Sequence, residues 1–388
     1  IFSATSKGGY STIGDEDYLK CQFAAEIVGN SGIGTFSQTE LEKALVGKSL
    51  QVYPSIDDYE ESIKAITTKN DLETMLQIVY LYFTDPCLDK TAANSYLSKA
   101  QSYLSGKGNN PESVFEDSAT VNLFLKNLRK KPYTNDELAK VVPEKAFEFF
   151  KQRFSSADDF RFVFVGDFDL NSMEKFVEQY IGALPQSSVS EVATDRNIRY
   201  SHGNTKIYKK GKEDRSHVRI VIPTDFVWST SSRHQIRSTV EALDIKVNEV
   251  IREKMSGVYS PSVYQQFSNF PKSSVELVVE FVCKPDMTND IINATFKIME
   301  DMKNQDDLVT LEKVRKAQEK SREVTLKNNN YWIASLSSYL ESGESIDNIL
   351  LVEQEIKNLN LQTIKSVARK HFVKEKAVVT INEPESVN

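Results

Sequence analysis

The sequence Val250-Ile-Arg-Glu-Lys-Met-Ser-Gly-Val-Tyr-Ser-Pro-Ser-Val263 combines the end of an amphipathic helix, a turn at Ser256-Gly257 and the start of a strand. Gly257 stands where the C-terminus of a helix favours a residue that tolerates positive φ. Arg252 lies in the last helical turns, and Tyr259 directly follows the turn. A guanidinium and a phenol can both donate hydrogen bonds to a carbonyl or an oxyanion. By itself, the stretch favours a structural interpretation, with a helix-capping arginine and a half-buried strand tyrosine, over a pair of donors to a ligand.

Length and composition place this stretch in a globular protein with two domains. The chain has 388 residues, of which 40% are hydrophobic and 27% charged, so it can form two cores of roughly 200 residues each. The net charge is −7 and no long basic run is present, which argues against nucleic acid or an anionic membrane as a partner. The apolar run 78–83 is far shorter than the roughly 18 residues of a membrane helix. The three widely spaced cysteines suggest neither a disulfide framework nor a cysteine zinc site; they are Cys21, Cys87 and Cys283.

The two halves of the chain repeat one order of elements. The strand pattern of Val218-Arg-Ile-Val-Ile222 matches that of residues 1–6, and each strand precedes a helix, a hairpin and a long second helix. Three landmarks recur at nearly constant separations of 215, 218 and 215 residues, which indicates a duplication. The landmark pairs are Thr68 with Cys283, Phe154 with Phe372, and Val163 with Val378.

This order predicts an α+β fold. Each unit combines strands in hairpins with helices in runs, which is typical of an antiparallel-rich mixed sheet with helices on one face. The predicted domains are 1–186 and 204–388, joined by a polar linker at about 187–203 that lacks clear periodicity. The chain opens inside the strand Ile1–Ser6, so we expect it to be part of a longer protein and to lack the strand with which its first strand pairs.

The ordered elements resemble those of the M16 (pitrilysin-like) zinc metallopeptidases over essentially the whole chain. The similarity is greatest to the C-terminal half of the long bacterial, PqqL-like members, which carry four such units in one polypeptide. The resemblance implies the metallohydrolase fold of that family (LuxS/MPP-like). It rests on the order strand, Gly-Gly, helix, Gly-rich turn, hairpin and long helix, and on four stretches: Thr35-Phe-Ser-Gln-Thr-Glu-Leu41, residues 71–86, Arg252-Glu-Lys-Met-Ser-Gly-Val-Tyr-Ser-Pro261 and Asn329-Asn-Tyr-Trp332.

The zinc motif of that family is degenerate in this chain. The family binds zinc through His-x-x-Glu-His on the first long helix of its N-terminal half, with the glutamate as general base. Residues 23–27 (Phe-Ala-Ala-Glu-Ile) stand at those positions, so Phe23 and Ile27 replace the histidines and only Glu26 survives. The third ligand of the family would fall near 92–105, which contains no acidic residue. We therefore expect no zinc in this chain and a catalytic zinc in the missing N-terminal half.

The resemblance also implies roles for Arg252 and Tyr259. In the family, the C-terminal half closes over a chamber and contributes an arginine and a tyrosine with this spacing to the zinc site of the other half. Tyr259 is then expected to donate to the oxyanion of the scissile carbonyl, and Arg252 to hold a backbone carbonyl of the peptide substrate.

Two functions follow from this resemblance. The first is the non-catalytic half of a peptide-degrading zinc endopeptidase, with the N-terminal M16 half and peptides as partners. The alternative is an inactive structural or peptide-binding subunit, like the inactive core subunits of the family. The pair Arg252 and Tyr259 favours the first, because a scaffold has no need of it. The bacterial resemblance favours a periplasmic location, and no membrane span is expected.

Overall fold

The protein is described here by a computed structural model that covers residues 1–187, 192–255, 258 and 261–385. The chain forms two compact units, and neither is continuous in sequence. The first unit comprises Ile1–Ser105, Tyr133–Arg196 and Leu326–Ile346, and the second comprises Gly106–Pro132, Asn197–Thr325 and Asp347–Asn388.

The described residues form the following helices and strands. The α-helices are α1 Asp15–Tyr18, α2 Ala24–Ser31, α3 Gln38–Ala44, α4 Leu72–Thr84, α5 Lys90–Lys107, α6 Pro111–Phe124, α7 Asn135–Leu138, α8 Pro143–Arg153, α9 Leu170–Phe176, α10 Thr230–Val247, α11 Thr288–Asn304, α12 Leu308–Thr325, α13 Asn329–Ser342, α14 Asn348–Asn358 and α15 Leu361–His371. Two π-helical segments, Val177–Ile181 and Asn248–Lys254, continue α9 and α10. The strands are β1 Phe2–Lys7, β2 Leu50–Ile56, β3 Glu60–Thr67, β4 Arg161–Phe164, β5 Asn204–Lys209, β6 Ser216–Asp225, β7 Ser262–Ser268, β8 Ser274–Cys283 and β9 Val378–Glu383.

The sheet of the first unit has the strand order β2-β3-β1-β4, and its strand pairs are antiparallel. The central strand β1 pairs on both sides, with Phe2 opposite Ala65 of β3 and Phe164 of β4. The expectation that the first strand lacks a partner is therefore wrong, because β4 occupies the position beside it.

The sheet of the second unit has the order β5-β9-β6-β8-β7. Strand β6 takes the central place of β1, and β7, β8 and β9 take those of β2, β3 and β4, so the two units share one topology as the duplication predicts. Strand β5 is an additional strand at the edge of this sheet, and it pairs in parallel with β9. The sheet is thus mixed but mostly antiparallel, as predicted.

Alternation along β6 separates the two faces of the second sheet. Val218, Ile220 and Ile222 are fully buried and enter the main core beneath α10, α11 and α15. Val221 points to the opposite face and packs against Leu123 of α6. An antiparallel strand with apolar residues on both faces needs cover on both, so a helix is required on the second face as well.

Each unit obtains such a helix from the other half of the sequence. Helix α6 packs on β9 and β6 in the second unit, and α13 packs on β1 and β4 in the first. Both begin with an asparagine cap: the side chain of Asn110 accepts from the backbone N–H of Glu112 at 2.9 Å, and that of Asn328 from Asn330 at 2.8 Å. The predicted domains 1–186 and 204–388 differ from the observed units by these two exchanged segments. The division at residue 196 falls inside the predicted linker.

Several predicted elements differ from the observed ones. Residues 23–27, which stand at the positions of a helical zinc motif, do not lie on one continuous helix, because Phe23 has left-handed backbone angles (φ 61°, ψ 26°) and α2 begins after it. Helix α14 and strand β5 were not predicted. None of the described helices is both long enough and apolar enough to cross a membrane.

Candidate functional site

Arg252 lies in the π-helical segment that continues α10. The neighbouring Ile251 is fully buried in the main core, whereas Arg252 is exposed. Its side chain makes no hydrogen bond or ion pair with any residue that the structure describes. Short π-helical segments occur preferentially at functional sites. The guanidinium is therefore exposed on a backbone that the adjacent Ile251 anchors in the core.

Ion pairs to α12 and to Asp307, the residue before it, brace the helix that carries Arg252. Glu249 pairs with Lys313 at 2.6 Å, and Lys246 pairs with Asp307. Burial alone would raise the pKa of Asp307, but hydrogen bonds from Lys246 and Thr310 outweigh it and lower that pKa to about 2. These contacts fix the direction of the π-helical segment and do not involve Arg252.

Tyr259 lies outside the described residues, as do Ser256 and Gly257 of the predicted turn. Val258, between them, is buried and forms a β-bridge with Cys283 at the end of β8. The segment that connects Arg252 to β7 is thus anchored to the sheet at Val258. The proximity of the Arg252 guanidinium and the Tyr259 hydroxyl stays a prediction.

The positions of the degenerate zinc motif lie at the start of α2 in the first unit. Ile27 is fully buried in the core of that unit. Phe23 precedes the helix with left-handed backbone angles, so it does not share a helical face with Ile27. Glu26 is exposed on the first turn.

The donor set at this place does not fit zinc. Phenylalanine and isoleucine have no lone pair to offer, and α5, where the third family ligand would fall, carries no acidic residue. Instead, the ring of Phe23 contacts Tyr96 of α5 and Tyr133, with centroid distances of 6.0 and 5.2 Å. Aromatic contacts replace the metal ligands, and no step of zinc chemistry can be assigned to this unit.

The second unit contains a cluster that the sequence reasoning missed. His217 of β6 lies between two carboxylates: its Nε2 is 2.7 Å from Glu280 Oε1, and its Nδ1 is 3.4 Å from Glu112 Oε2. The ring of Phe115 stacks on the imidazole with a centroid distance of 3.7 Å. The three potential ligand atoms lie within 4.8 Å of one another. Among the described residues, this is the one group of three side chains that lie close enough together to hold a metal ion.

The charged side chains of this cluster already form ion pairs with one another. Glu280 accepts a second hydrogen bond from Arg219 Nε at 2.7 Å, and the rest of that guanidinium binds Glu116. Burial would raise the pKa of Glu280, but the hydrogen bonds from His217 and Arg219 lower it to about 2. Because the two ring nitrogens of His217 face different carboxylates, one ion cannot use all three ligands as they are oriented. The cluster is best described as an ion-pair network that holds α6 on the sheet.

A signal for part of this network was present in the sequence. Alternation along β6 places His217 and Arg219 on the same face, opposite Val218. The acidic partners lie on α6 and β8, far away in sequence, so no local pattern identifies them. The three cysteines take no part in it: Cys21, Cys87 and Cys283 are free thiols, and burial raises the pKa of each.

Comparisons with known proteins find matches to zinc peptidases. The family model described as the peptidase M16 inactive domain matches residues 140–321. The probable zinc protease PqqL of Haemophilus influenzae is 22% identical over 311 residues, which is 78% of this chain and 32% of that protein. The zinc protease PQQL-like of Arabidopsis thaliana is 21% identical over 353 residues, 86% of this chain and 34% of that protein.

A solved structure shows the same fold. The crystal structure of the periplasmic protease PqqL from Escherichia coli superposes with a TM-score of 0.84 at 16% identity, over 99% of this chain and 43% of that one. The chain thus spans about a third of the length of the curated relatives that it matches. By these comparisons, the chain is similar to the inactive domain of the M16 peptidases and to the PqqL-like zinc proteases.

Proposed function

We propose that this chain is the non-catalytic half of a peptide-degrading zinc endopeptidase. In this proposal it forms one wall of a closed chamber and supplies contacts to a substrate whose scissile bond lies at the zinc site of an N-terminal half. The similarity to the M16 inactive domain and the lack of zinc ligands at Phe23 and Ile27 support a helper role. The proposal rests chiefly on the exposed guanidinium of Arg252, which makes no hydrogen bond or ion pair within the described part of the chain.

The two donors have distinct proposed tasks. The Tyr259 hydroxyl donates to the oxyanion that develops on the scissile carbonyl, and Arg252 holds a backbone carbonyl of the peptide. Donors aimed at developing negative charge are worth about 3–4 kcal/mol each in transition-state stabilisation, by the precedent of oxyanion holes. The buried Ile251 and the braced π-helical segment support this assignment, because a positioning donor must stand on a rigid support.

We place the protein in the bacterial periplasm. The E. coli protease PqqL, whose fold this chain shares, is described as periplasmic. A formal net charge of −7 is compatible with a compartment in which the chain does not need to bind nucleic acid. Fractionation of the native host, with detection of the full-length protein, tests the assignment.

Peptide cleavage by the full-length protein tests the proposed activity. The protein should cleave unstructured peptides and lose that activity on chelation, whereas the 388-residue chain, with zinc added, should cleave none. Zinc-dependent cleavage by this chain would contradict the assignment of Phe23 and Ile27 as core residues without a metal.

The alternative is an inactive structural or peptide-binding subunit of the same family. The loss of zinc ligands in the first unit is equally compatible with it. A full-length protein that binds peptides but cleaves none, at full zinc occupancy, would favour this alternative over the endopeptidase.

A further inference from the structure

Three half-buried aromatic rings surround the start of α2 in the first unit. Phe23 stands between Tyr96 and Tyr133, at the centroid distances given above, and the ring planes are tilted by 59° and 50°. Neither pair is stacked face to face, and each of the three side chains keeps part of its surface exposed. We call Phe23, Tyr96, Tyr133 and the exposed Glu26 the α2 cluster.

Two buried tyrosines pack on the interior side of the cluster. Tyr10 and Tyr18 are 6% and 4% exposed and contact each other edge to face. The Tyr10 hydroxyl accepts the backbone N–H of Ala24 at 3.2 Å, at the first residue of α2. The Tyr133 hydroxyl donates to the buried Gln22. The rings are thus held in place before any ligand arrives.

The backbone of Phe23 is in a conformation that its side chain disfavours. A φ of 61° is uncommon for a bulky residue, and glycine or asparagine would adopt it more readily. Strained residues of this kind persist mainly where the surrounding structure and a function hold them. The position nevertheless carries a phenylalanine instead of a smaller residue, and this places an aromatic ring at the exposed edge of the cluster.

Uncompensated negative charge lies beside the rings. Glu26 lies in the first turn of α2, and its charge acts on Tyr96, whose pKa burial and Glu26 together raise to about 12. Asp57 in the β2–β3 turn is exposed and close enough to act on Glu26. Neither carboxylate forms an ion pair with a residue of the described part of the chain. The open surface is therefore both aromatic and negative.

We propose that the α2 cluster binds a lysine or arginine side chain of a peptide substrate. This inference rests on the proposed function, which supplies the peptide. Faces of aromatic rings attract cations, and a carboxylate beside them adds direct attraction in a partly dehydrated place. Anionic ligands such as nucleotides are repelled by Glu26 and Asp57. The position that holds zinc in the active half of the family thus holds a substrate cation in this half.

A comparison of matched peptides tests the proposal. The full-length protein is depleted of zinc so that no peptide is cut, and fluorescence anisotropy gives the Kd of a labelled 20-residue peptide with lysine at every fourth position. A second peptide carries norleucine at those positions, which retains the aliphatic chain and removes the charge. We expect the lysine peptide to bind about three- to tenfold more tightly, the range of a partly exposed cation–π site.

Variants assign this preference to the cluster. Glu26→Gln and Tyr96→Leu should each reduce the preference for lysine to less than twofold. Tyr96→Phe keeps the ring and should retain it, and so should Glu16→Gln, which removes an exposed carboxylate of α1. This cycle between peptide and protein isolates the interaction from effects on folding.

The outcomes separate the two proposals. Equal affinity for lysine and norleucine peptides in the wild type overturns the cation site and leaves the peptide-processing role standing. A preference that survives in both Glu26→Gln and Tyr96→Leu places the cation elsewhere and also overturns it. Failure to bind either peptide contradicts the proposed function itself.

Discussion

Arg219 of β6 and Glu116 of α6 form a two-pronged ion pair, with Nη1–Oε2 and Nη2–Oε1 distances of 2.9 and 2.5 Å. The pair joins a helix from the first half of the sequence to the central strand of the second unit. The guanidinium also lies over the ring of Phe115, 5.1 Å from its centroid. Arginine is suited to this place because its planar fork can bind two carboxylates and stack at once.

Replacement of Arg219 by lysine should weaken this attachment. A lysine cannot donate in parallel to Glu116 and also reach Glu280, so we expect the free energy of unfolding to fall by about 1–2 kcal/mol. Urea denaturation, monitored by circular dichroism, measures the change. Glu112→Gln is the matched control, because its carboxylate is 63% exposed; it should cost less than about 0.5 kcal/mol. Equal effects of the two variants would contradict the account of the network.

Restoration of the zinc motif should fail. The double variant Phe23→His, Ile27→His re-creates His-Ala-Ala-Glu-His, but residue 23 lies outside the helix and residue 27 lies inside the core. The two imidazoles would not face one ion, and a polar ring at position 27 would lose about 2–4 kcal/mol of stability. Isothermal titration with zinc should give no submicromolar site. A tight site with one zinc per chain would refute the observed path of α2.

His234 should make stability depend on pH. It is 4% exposed, and burial, together with Arg237, lowers its pKa from 6.5 to about 4. The unfolded chain then binds more protons than the folded one between these pH values, so the contribution is complete above pH 6.5 and is lost as the pH falls toward 4. The loss approaches about 3 kcal/mol, since one pKa unit corresponds to about 1.4 kcal/mol.

The effect of His234 must be measured as a difference. Glu60 and Glu61, whose pKa values burial raises to about 7, titrate with the opposite sign over the same interval. We therefore compare the wild type with His234→Gln in urea denaturation from pH 4 to pH 7.5. The stability advantage of the wild type should shrink as the pH falls below 6.5. A constant difference across this range would show that His234 does not titrate as described.

The fold class could be predicted from the sequence because local periodicity encodes it. The alternation in Val218–Ile222 and the recurrence of landmarks such as Val163 and Val378 identified the strands and the duplication. The exchange of α6 and α13 could not be predicted in this way. An amphipathic helix reveals that it has a buried face, but not which sheet covers it, and the partner of Leu123 is about a hundred residues away along the chain.

The candidate site could be predicted only in part. The spacing of Arg252 and Tyr259 and the lost zinc ligands at Phe23 and Ile27 are features of sequence, and they define the candidate residues, whose roles stay predictions. The break before α2 could not be foreseen, because tertiary contacts of the Phe23 ring hold its backbone against its own preference. The network of His217 was missed because its partners meet only in the folded unit.

The proposed role of this half is to supply two donors to a reaction whose zinc lies elsewhere. The most direct test measures kcat/KM for peptide cleavage by the full-length enzyme that carries Arg252→Ala or Tyr259→Phe. Lys254→Ala, on the same exposed segment, is the matched control. We predict that each donor variant lowers kcat/KM by at least about tenfold at unchanged zinc content, whereas Lys254→Ala changes it less than about twofold. Unchanged kcat/KM in both donor variants would contradict the claim.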